Sequence, residues 1–309
     1  MSNQQFIPLT FNMYKPANIS SYDVIRTIKR SFGKKLGKIG HFGTLDPFAC
    51  GVLLVGVGGA ARLNEYIHEM PKTYLAVGKL GEETETGDFT APVSQKDTSP
   101  YLDQTIAKMD VEFIQKQLQD KFLGDYYQAP HKYSAAKHQG KKLLEWAREG
   151  VDIKKEKKLR HIYELEVVSY DFPLLTIRVK VSSGTYIRTL FSECANHLGT
   201  IGSLVSLERE AVGHHHIKES IQQNNWPNGQ DWDYHGFGLR PEQTLLLPKV
   251  IFAPKESKLV ANGVQLKLDR ALECEDSESL LYWAYSADDK LLGLIKKIDG
   301  EWRVQVNFS

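Results

Sequence analysis

One ionisable side chain, Asp46, stands in a segment built largely from glycine, proline and apolar residues. Residues 38–63 read KIGHFGTLDPFACGVLLVGVGGAARL. Glycine permits backbone conformations that a Cβ resists, whereas Pro47 fixes its own φ and biases Asp46 towards an extended conformation. A carboxylate held on a stiff loop beside a core strand can act as a nucleophile or a general base. An isolated Asp-Pro is more often a simple turn, so the surrounding pattern has to decide.

The glycines at 56, 58 and 59 raise a second interpretation, a turn that binds a dinucleotide. The full G-x-G-x-x-G spacing is missing, and no acidic ribose ligand stands at the expected distance. The apolar run 52–57 is instead typical of a buried strand bounded by glycines. Such a strand would hold the preceding loop, and Asp46 with it, at the edge of the hydrophobic core.

Periodic segments elsewhere predict the elements that position this loop. Ser20 and Asp23 have the spacing of a capping box before a helix that ends at Gly33. Asp110 can cap another helix, and a further one follows Tyr186. Alternating apolar and polar residues predict strands at 12–16, 72–80, 162–169 and 174–181, and a helix is predicted at 60–68.

The string GHFGTLDPFACGVLLVGVG resembles the signature of the TruB family of tRNA pseudouridine-55 synthases. The resemblance covers roughly residues 15–212 and implies that Asp46 is the catalytic nucleophile. It also implies an α+β fold: a mixed, mainly antiparallel sheet of pseudouridine-synthase type with flanking helices, and a small C-terminal β-barrel-like (PUA-like) module.

Further strings carry the resemblance to other site residues. KTYLAVGKL contains the Lys-x-Tyr whose tyrosine, Tyr74, would lie against the target uracil, and SSGTYIR contains an arginine, Arg188, that would pair with the catalytic aspartate. An opposite charge so close is expected to lower the pKa of Asp46. Tyr186 would help to hold the ring, and Leu207 would close the apolar side of the pocket. The loop histidine His41 would stack in the RNA where the flipped nucleotide leaves a gap.

The chain departs from the family pattern at three positions. Tyr14 and Asn18 replace the aspartate and glycine of an Asp-Lys-Pro-x-Gly string, so neither is assigned a role. Glu208 replaces the first arginine of Leu-Arg-Arg, which puts an RNA contact there in doubt, while Arg209 matches the second.

Residues 125–150 mix tyrosines with lysines around a proline-containing loop, a composition suited to RNA backbone and unpaired bases. The string beginning at Gln128 resembles the family's insertion that closes over the T-arm. The candidate RNA contacts are Tyr133, Lys132, Lys137, Lys141, Lys142 and Arg209. A second basic stretch, 24–45, holds six basic residues and no acidic one, on a chain of net charge +1.

Composition and length are those of an ordinary globular protein of 309 residues, 41% hydrophobic and 25% charged. Three cysteines without metal spacing favour a reduced, cytoplasmic compartment. No signal peptide or membrane-spanning run is apparent, and the proposed chemistry requires no metal or organic cofactor. The acidic, turn-rich stretch 82–102 is interpreted as a surface connection, and the three histidines at 214–216 as surface residues.

The pattern predicts a small β-barrel at the C-terminal end, and the resemblance implies a catalytic domain at 1–216, a linker at 217–247 and a PUA-like RNA-binding module at 248–309. The predicted activity is isomerisation of uridine 55 in the T-arm of tRNA by a monomeric enzyme. A non-catalytic RNA-binding or tRNA-folding protein on the same scaffold is the alternative, and a small-molecule nucleotide enzyme is disfavoured by the basic stretches.

Overall fold

A computed structural model describes residues 7–129, 137–142, 145, 146, 149, 151, 156–229, 232–276 and 278–308. The strands are β1 (Leu9–Lys15), β2 (Ile39–His41), β3 (Cys50–Val57), β4 (Lys72–Leu80), β5 (Glu82–Thr84), β6 (Val93–Lys96), β7 (Gly124–Gln128), β8 (Lys137–His138), β9 (Lys141–Lys142), β10 (Lys158–Asp171), β11 (Leu174–Val181), β12 (Gly202–Val212), β13 (His215–His216), β14 (Lys249–Phe252), β15 (Leu266–Lys267), β16 (Ala271–Cys274), β17 (Leu281–Ser286), β18 (Leu291–Ile298) and β19 (Glu301–Asn307). The α-helices are α1 (Ser21–Phe32), α2 (Asn64–His68), α3 (Pro100–Gln104), α4 (Val111–Phe122), α5 (Ile187–His197), α6 (Tyr234–Phe237), α7 (Pro241–Thr244) and α8 (Pro254–Ala261).

The larger sheet has nine strands, and its main path runs β1-β3-β12-β4-β11-β10-β7. Neighbours along this path are antiparallel except β12 and β3, which run parallel where Glu208 and Arg209 face Cys50 and Gly51. Helices α4 and α5 cover one face with apolar side chains such as Leu118 and Phe191. The expected α+β fold with a mixed, mainly antiparallel sheet is confirmed.

Several element boundaries follow the local signals closely. Strands β4 and β11 span the predicted residues, and Ser20 and Asp23 form the capping box that begins α1. The side chain of Asp110 caps α4 by accepting from the amide of Phe113. The helix expected at 60–68 is α-helical only over α2, because residues 58–63 form a 3₁₀ segment before it. Strand β10 begins four residues earlier than predicted because β7 extends its pairing to Lys158 and Gln128.

The smaller, C-terminal sheet has six strands in the order β15-β19-β18-β17-β14-β16. It curls into a half-barrel around α8 and a core that contains Tyr282 and Trp302. A separate cluster joins this module to the catalytic sheet, since Trp283 and Val306 pack with Phe42 and Leu54. The C-terminal module thus shares an apolar core with the strand that follows the Asp46 loop.

Residues 217–229 and 232–247 pack against the catalytic sheet rather than crossing open surface. Trp226, Trp232 and Tyr234 fill a core with Phe11 of β1 and Phe32 of α1. The polar composition that suggests a linker is accompanied by these three large aromatic rings, and their burial anchors the segment. His215 is also buried, contrary to the interpretation of 214–216 as surface residues, and its Nε2 lies 3.0 Å from the Thr244 carbonyl oxygen.

Candidate active site

A cavity of about 300 Å³ opens where the Asp46 loop meets β4, β12 and the start of α5. The side chains of Asp46, Tyr74, Tyr186 and Arg188 line it, together with Leu207. These residues are far apart in the chain, and the sheet brings them together because β4 lies between β12 and β11. With Arg209, which also lines the cavity, six of the predicted site residues therefore meet at one place.

The Asp46 loop is fixed from the α1 side by hydrogen bonds to its backbone. Ser21 Oγ donates to the Leu45 carbonyl oxygen (3.1 Å) and accepts from the Leu45 amide (2.9 Å). The carbonyl of Pro47 accepts from the Asn18 amide (2.7 Å) and from Lys15 Nζ (3.2 Å). Both peptide neighbours of Asp46 are thus held, which limits how far its carboxylate can move.

Arg209 fixes the same loop from the opposite side. Its side chain is buried, with Nε donating to the Val52 carbonyl (2.8 Å) and Nη2 to the Gly43 carbonyl (3.1 Å). Gly51 has φ +109°, and a Cβ there would collide with the Arg209 backbone. The RNA contact expected of Arg209 stays a prediction, and in the structure its Nε and Nη2 are already occupied by the carbonyls of this loop.

Arg188 pairs with two carboxylates at once. Its Nε lies 3.0 Å from Asp46 Oδ2, and its Nη1 lies 3.2 Å from Asp88 Oδ2 and 2.9 Å from the Thr86 carbonyl. The side chain of Arg188 is 8% exposed, that of Asp88 4% and that of Asp46 36%, so Asp46 alone faces the cavity substantially. A planar guanidinium held on two edges has little freedom to turn.

Asp88 was missed by sequence reasoning, which interprets 82–102 as a surface connection. The segment folds back along β12, where the Phe89 amide donates to the Leu204 carbonyl. Asp88 is consequently buried, and its Oδ1 accepts from the Thr90 amide and Thr86 Oγ1, each at 3.0 Å. The acidic, threonine-rich composition of this loop was the signal in the sequence that could have pointed to Asp88. It does not show that the loop is buried, because that burial depends on tertiary contacts.

Burial raises the pKa of Asp46 above its ordinary value. Arg188 acts in the opposite direction, whereas the charge of Asp88 raises the pKa further. Arg188 thus lowers the pKa of Asp46 as expected, but desolvation is the larger effect, so the net shift of the pKa is upward. The ion pair favours the carboxylate of Asp46 without fully offsetting the cost of removing that charge from water.

Two further cations near the site were not assigned roles from the sequence. Lys72 lines the cavity, is almost fully buried and donates to the carbonyls of His68 and Met70. Burial lowers the pKa of Lys72 to about 8 and that of Lys15 also to about 8. Both ammonium groups donate to backbone carbonyls, and these hydrogen bonds hold the ends of the neighbouring loops and strands.

His41 lies at the end of β2, opposite Val55 of β3, and is not among the residues that line the cavity. Its Nδ1 is buried, with no hydrogen-bond partner among the described residues. Burial lowers the pKa of His41, and the nearby charge of Arg209 adds to the effect. A neutral imidazole is therefore favoured beside the loop.

Two of the three departures from the family pattern, Tyr14 and Glu208, lie beside Cys50. The Cys50 thiol donates to Glu208 Oε1 at 3.5 Å. Burial raises the pKa of Tyr14 to about 12, with smaller contributions from Cys50 and Glu208. This polar group lies on neighbouring strands β1, β3 and β12, and none of its three members lines the cavity.

The candidate RNA contacts in the insertion are only partly described. Lys132 and Tyr133 lie outside the described residues, and Lys137 and Lys142 are described only as backbone in the β8–β9 hairpin. Lys141 pairs with Glu149, and its Nζ lies 4.4 Å from the centre of the Trp146 ring.

Within the described ranges, no three His, Cys, Asp or Glu side chains are grouped so that they could hold a metal ion. None of the described helices has both the length and the apolar character needed to cross a bilayer.

The chain resembles known proteins along most of its length. Residues 29–187 match the family described as TruB family pseudouridylate synthase (N terminal domain). The tRNA pseudouridine synthase B of Dehalococcoides mccartyi (strain CBDB1) is 34% identical over 94% of this chain and 93% of its own. That of Clostridium novyi (strain NT) is 36% identical over 92% and 93%, and that of Thermotoga maritima 34% over 84% and 80%.

Solved structures resemble the fold at lower identity. A Cbf5-Nop10-Gar1 complex contains a chain with a TM-score of 0.72 and 20% identity, over 100% of this chain and 91% of that one. An H/ACA RNP bound to a substrate RNA containing 2'-deoxyuridine contains another, with a TM-score of 0.70 and 21% identity over 97% and 85%. The overall fold is thus shared with these chains.

Proposed function

Because the chain belongs to the TruB family of pseudouridylate synthases, we propose that it converts uridine 55 in the T-arm loop of tRNA to pseudouridine. The relatives that match over most of their length are named tRNA pseudouridine synthase B, which supports tRNA as the substrate. The reaction breaks the bond between uracil N1 and the ribose, turns the base and joins the ribose to C5. The C5 hydrogen leaves as a proton and N1 takes up a proton, so that the product is an isomer of the substrate.

Asp46 is the nucleophile in this proposal. The observation that carries it is the 3.0 Å contact between Asp46 Oδ2 and Arg188 Nε at the wall of a cavity. One carboxylate oxygen is engaged by a fixed cation, while the partly exposed carboxylate faces the space a nucleotide would fill. A positioned carboxylate can form a covalent intermediate, which divides a difficult rearrangement into easier steps.

Tyr74, Tyr186 and Leu207 would hold the base. All three line the cavity beside Asp46, and Leu207 contributes an apolar wall. Aromatic rings stack on a uracil regardless of its orientation, which suits a base that must turn before it is rejoined. The Tyr74 hydroxyl would transfer a proton late in the reaction.

The substrate base has to leave its stack to reach this cavity. His41, on the strand beside the loop, would occupy the gap in the RNA. Because the pKa of His41 is lowered, its ring would be neutral there and would stack on the neighbouring bases without being repelled by nearby cations. Exposed basic residues on α1, among them Lys29 and Arg30, would contact phosphates. The enzyme would act as a cytoplasmic monomer.

A binding protein without turnover is the other candidate, and Arg188 argues against it. Two carboxylates and a guanidinium are gathered in a largely buried site, and such a group is costly unless it serves a purpose. A pure RNA-binding surface gains nothing from a desolvated acid.

The direct test uses a T-arm stem-loop carrying tritium at uridine C5. The proposal predicts release of tritium into water in proportion to pseudouridine, at the position equivalent to uridine 55. Binding of the stem-loop without tritium release, under conditions where an established family member releases it, would favour the binding protein.

A further inference from the structure

Gln128, the last residue of β7, is joined to the backbone of Tyr186 by two hydrogen bonds. Its Nε2 donates to the Tyr186 carbonyl at 2.9 Å, and its Oε1 accepts from the Tyr186 amide at 2.8 Å. A third contact uses the remaining Nε2 hydrogen, which is donated to the Tyr126 hydroxyl at 3.2 Å. The Gln128 side chain is buried, so these bonds are not exchanged freely for water.

Tyr186 is the residue through which this bridge reaches the site. Its ring lines the cavity, and its carbonyl also accepts from the Leu190 amide (3.0 Å) in the first turn of α5. Arg188, the partner of Asp46, lies two residues beyond Tyr186 in the same turn. Holding the Tyr186 peptide therefore sets both the ring and the beginning of the helix that carries Arg188.

A second contact from the neighbouring strand holds the same loop. Arg160 of β10 donates from Nη1 to the Ser183 carbonyl at 3.0 Å. Gly184 has φ +75°, and a Cβ there would approach the Arg160 guanidinium to about 2.9 Å. Arg160 thus contacts the loop at Ser183 and Gly184, while Gln128 holds its end at Tyr186.

We propose that Gln128 is a positioning residue for pseudouridine formation, acting through the backbone of Tyr186. The inference rests on the proposed function, because it concerns the rate of that reaction. An amide suits the role since it offers a donor and an acceptor side by side, matching the carbonyl and N–H of one residue. An ionised carboxylate in its place would accept from the Tyr186 amide but would repel the Tyr186 carbonyl.

Gln128→Glu is the decisive variant, because a protonated glutamic acid restores the donor–acceptor pattern of glutamine. Burial raises the pKa of a carboxyl group, so protonation falls within a usable pH range. The measurement is the single-turnover rate of tritium release from the T-arm stem-loop, expressed as the ratio of the unaltered enzyme to the variant at each pH. We expect a ratio of about 10 to 100 at neutral pH, the scale of a small misplacement of reacting groups, decreasing as the pH falls.

Two further variants separate positioning from loss of packing. Gln128→Met keeps the volume but cannot form either bond, so its ratio should be similarly large and independent of pH. Tyr126→Phe removes the third contact of Gln128 and leaves both bonds to Tyr186, so its rate should stay within about threefold of the unaltered enzyme. Stem-loop affinity should change little in all three proteins.

A pH-independent ratio for folded Gln128→Glu, or unaltered rates in both Gln128 variants, would overturn the inference. If Gln128→Met does not fold, Gln128→Glu still decides the question through its pH dependence. Failure of the unaltered enzyme to release tritium would instead count against the proposed function, so the two failures are distinguishable.

Discussion

The Nε atom of Arg188 lies 3.0 Å from Oδ2 of Asp46, and the other edge of the same guanidinium contacts Asp88 at 3.2 Å. Arg188 therefore connects the carboxylate at the cavity to a carboxylate buried behind it. The buried contact fixes the direction in which Arg188 presents Nε to Asp46. This arrangement depends on a planar group with donors on two edges.

Replacing Arg188 with lysine should lower the single-turnover rate by about a hundredfold. Lysine retains the positive charge, but it lacks the planar guanidinium whose separate nitrogens contact Asp46 and Asp88 at the same time. The measurement is tritium release at saturating stem-loop. Arg178→Lys is the matched control, since Arg178 pairs with Glu166 and Glu210 away from the cavity lining, and it should leave the rate nearly unchanged. Equal rates for Arg188→Lys and the unaltered enzyme would contradict the assigned role.

The rate should depend on pH through the ionisation of Asp46. A nucleophilic carboxylate is active when deprotonated, so the rate rises with pH through its pKa. Because burial raises the pKa of Asp46, the acidic limb of the profile should lie above the ordinary aspartate value of 3.8. Single-turnover rates across the acidic range, with folding monitored by circular dichroism, locate the limb. A midpoint at or below the ordinary value would contradict the raised pKa.

Arg209 should matter for stability rather than for RNA affinity. Arg209→Leu leaves the carbonyls of Val52 and Gly43 without their donor and should lower the free energy of unfolding by about 3 kcal/mol. Denaturant unfolding measures this loss. The salt dependence of stem-loop binding should be unchanged for the folded variant, since Arg209 Nε and Nη2 already donate to protein carbonyls.

Arg30 provides the comparison for that experiment, because it is exposed on α1. Arg30→Ala should change the free energy of unfolding by no more than about 0.5 kcal/mol. It should reduce the slope of log binding constant against log salt concentration by about 1, the loss of one phosphate contact. A reduced salt slope for Arg209→Leu, with unchanged stability, would instead support an RNA contact from Arg209.

The sequence predicted those parts of the site that are encoded locally. The Asp46 loop, strand β4 with Tyr74 and the turn before Arg188 are each a short string whose backbone preferences agree with the final structure. Their convergence followed from the resemblance, since strand order cannot be read from periodicity alone.

Residues whose role depends on distant packing could not be predicted in this way. Asp88 looks like a surface residue until its loop folds back along β12, and the contacts of Arg209 with the Asp46 loop arise only when β12 pairs in parallel with β3. The direction of the Asp46 pKa shift has the same origin. A charge partner is visible in a motif, whereas the degree of burial depends on every element around the cavity.

The central claim is that Asp46 is the nucleophile, and Asp46→Asn tests it most directly. The amide keeps the shape of the side chain but removes the negative charge and the nucleophilic oxygen. Tritium release and the pseudouridine content of the stem-loop should both fall to background. The affinity for the stem-loop should stay within about tenfold, because the RNA-binding residues are untouched. Conversion of uridine by the folded Asp46→Asn protein at a near-normal rate would contradict the account.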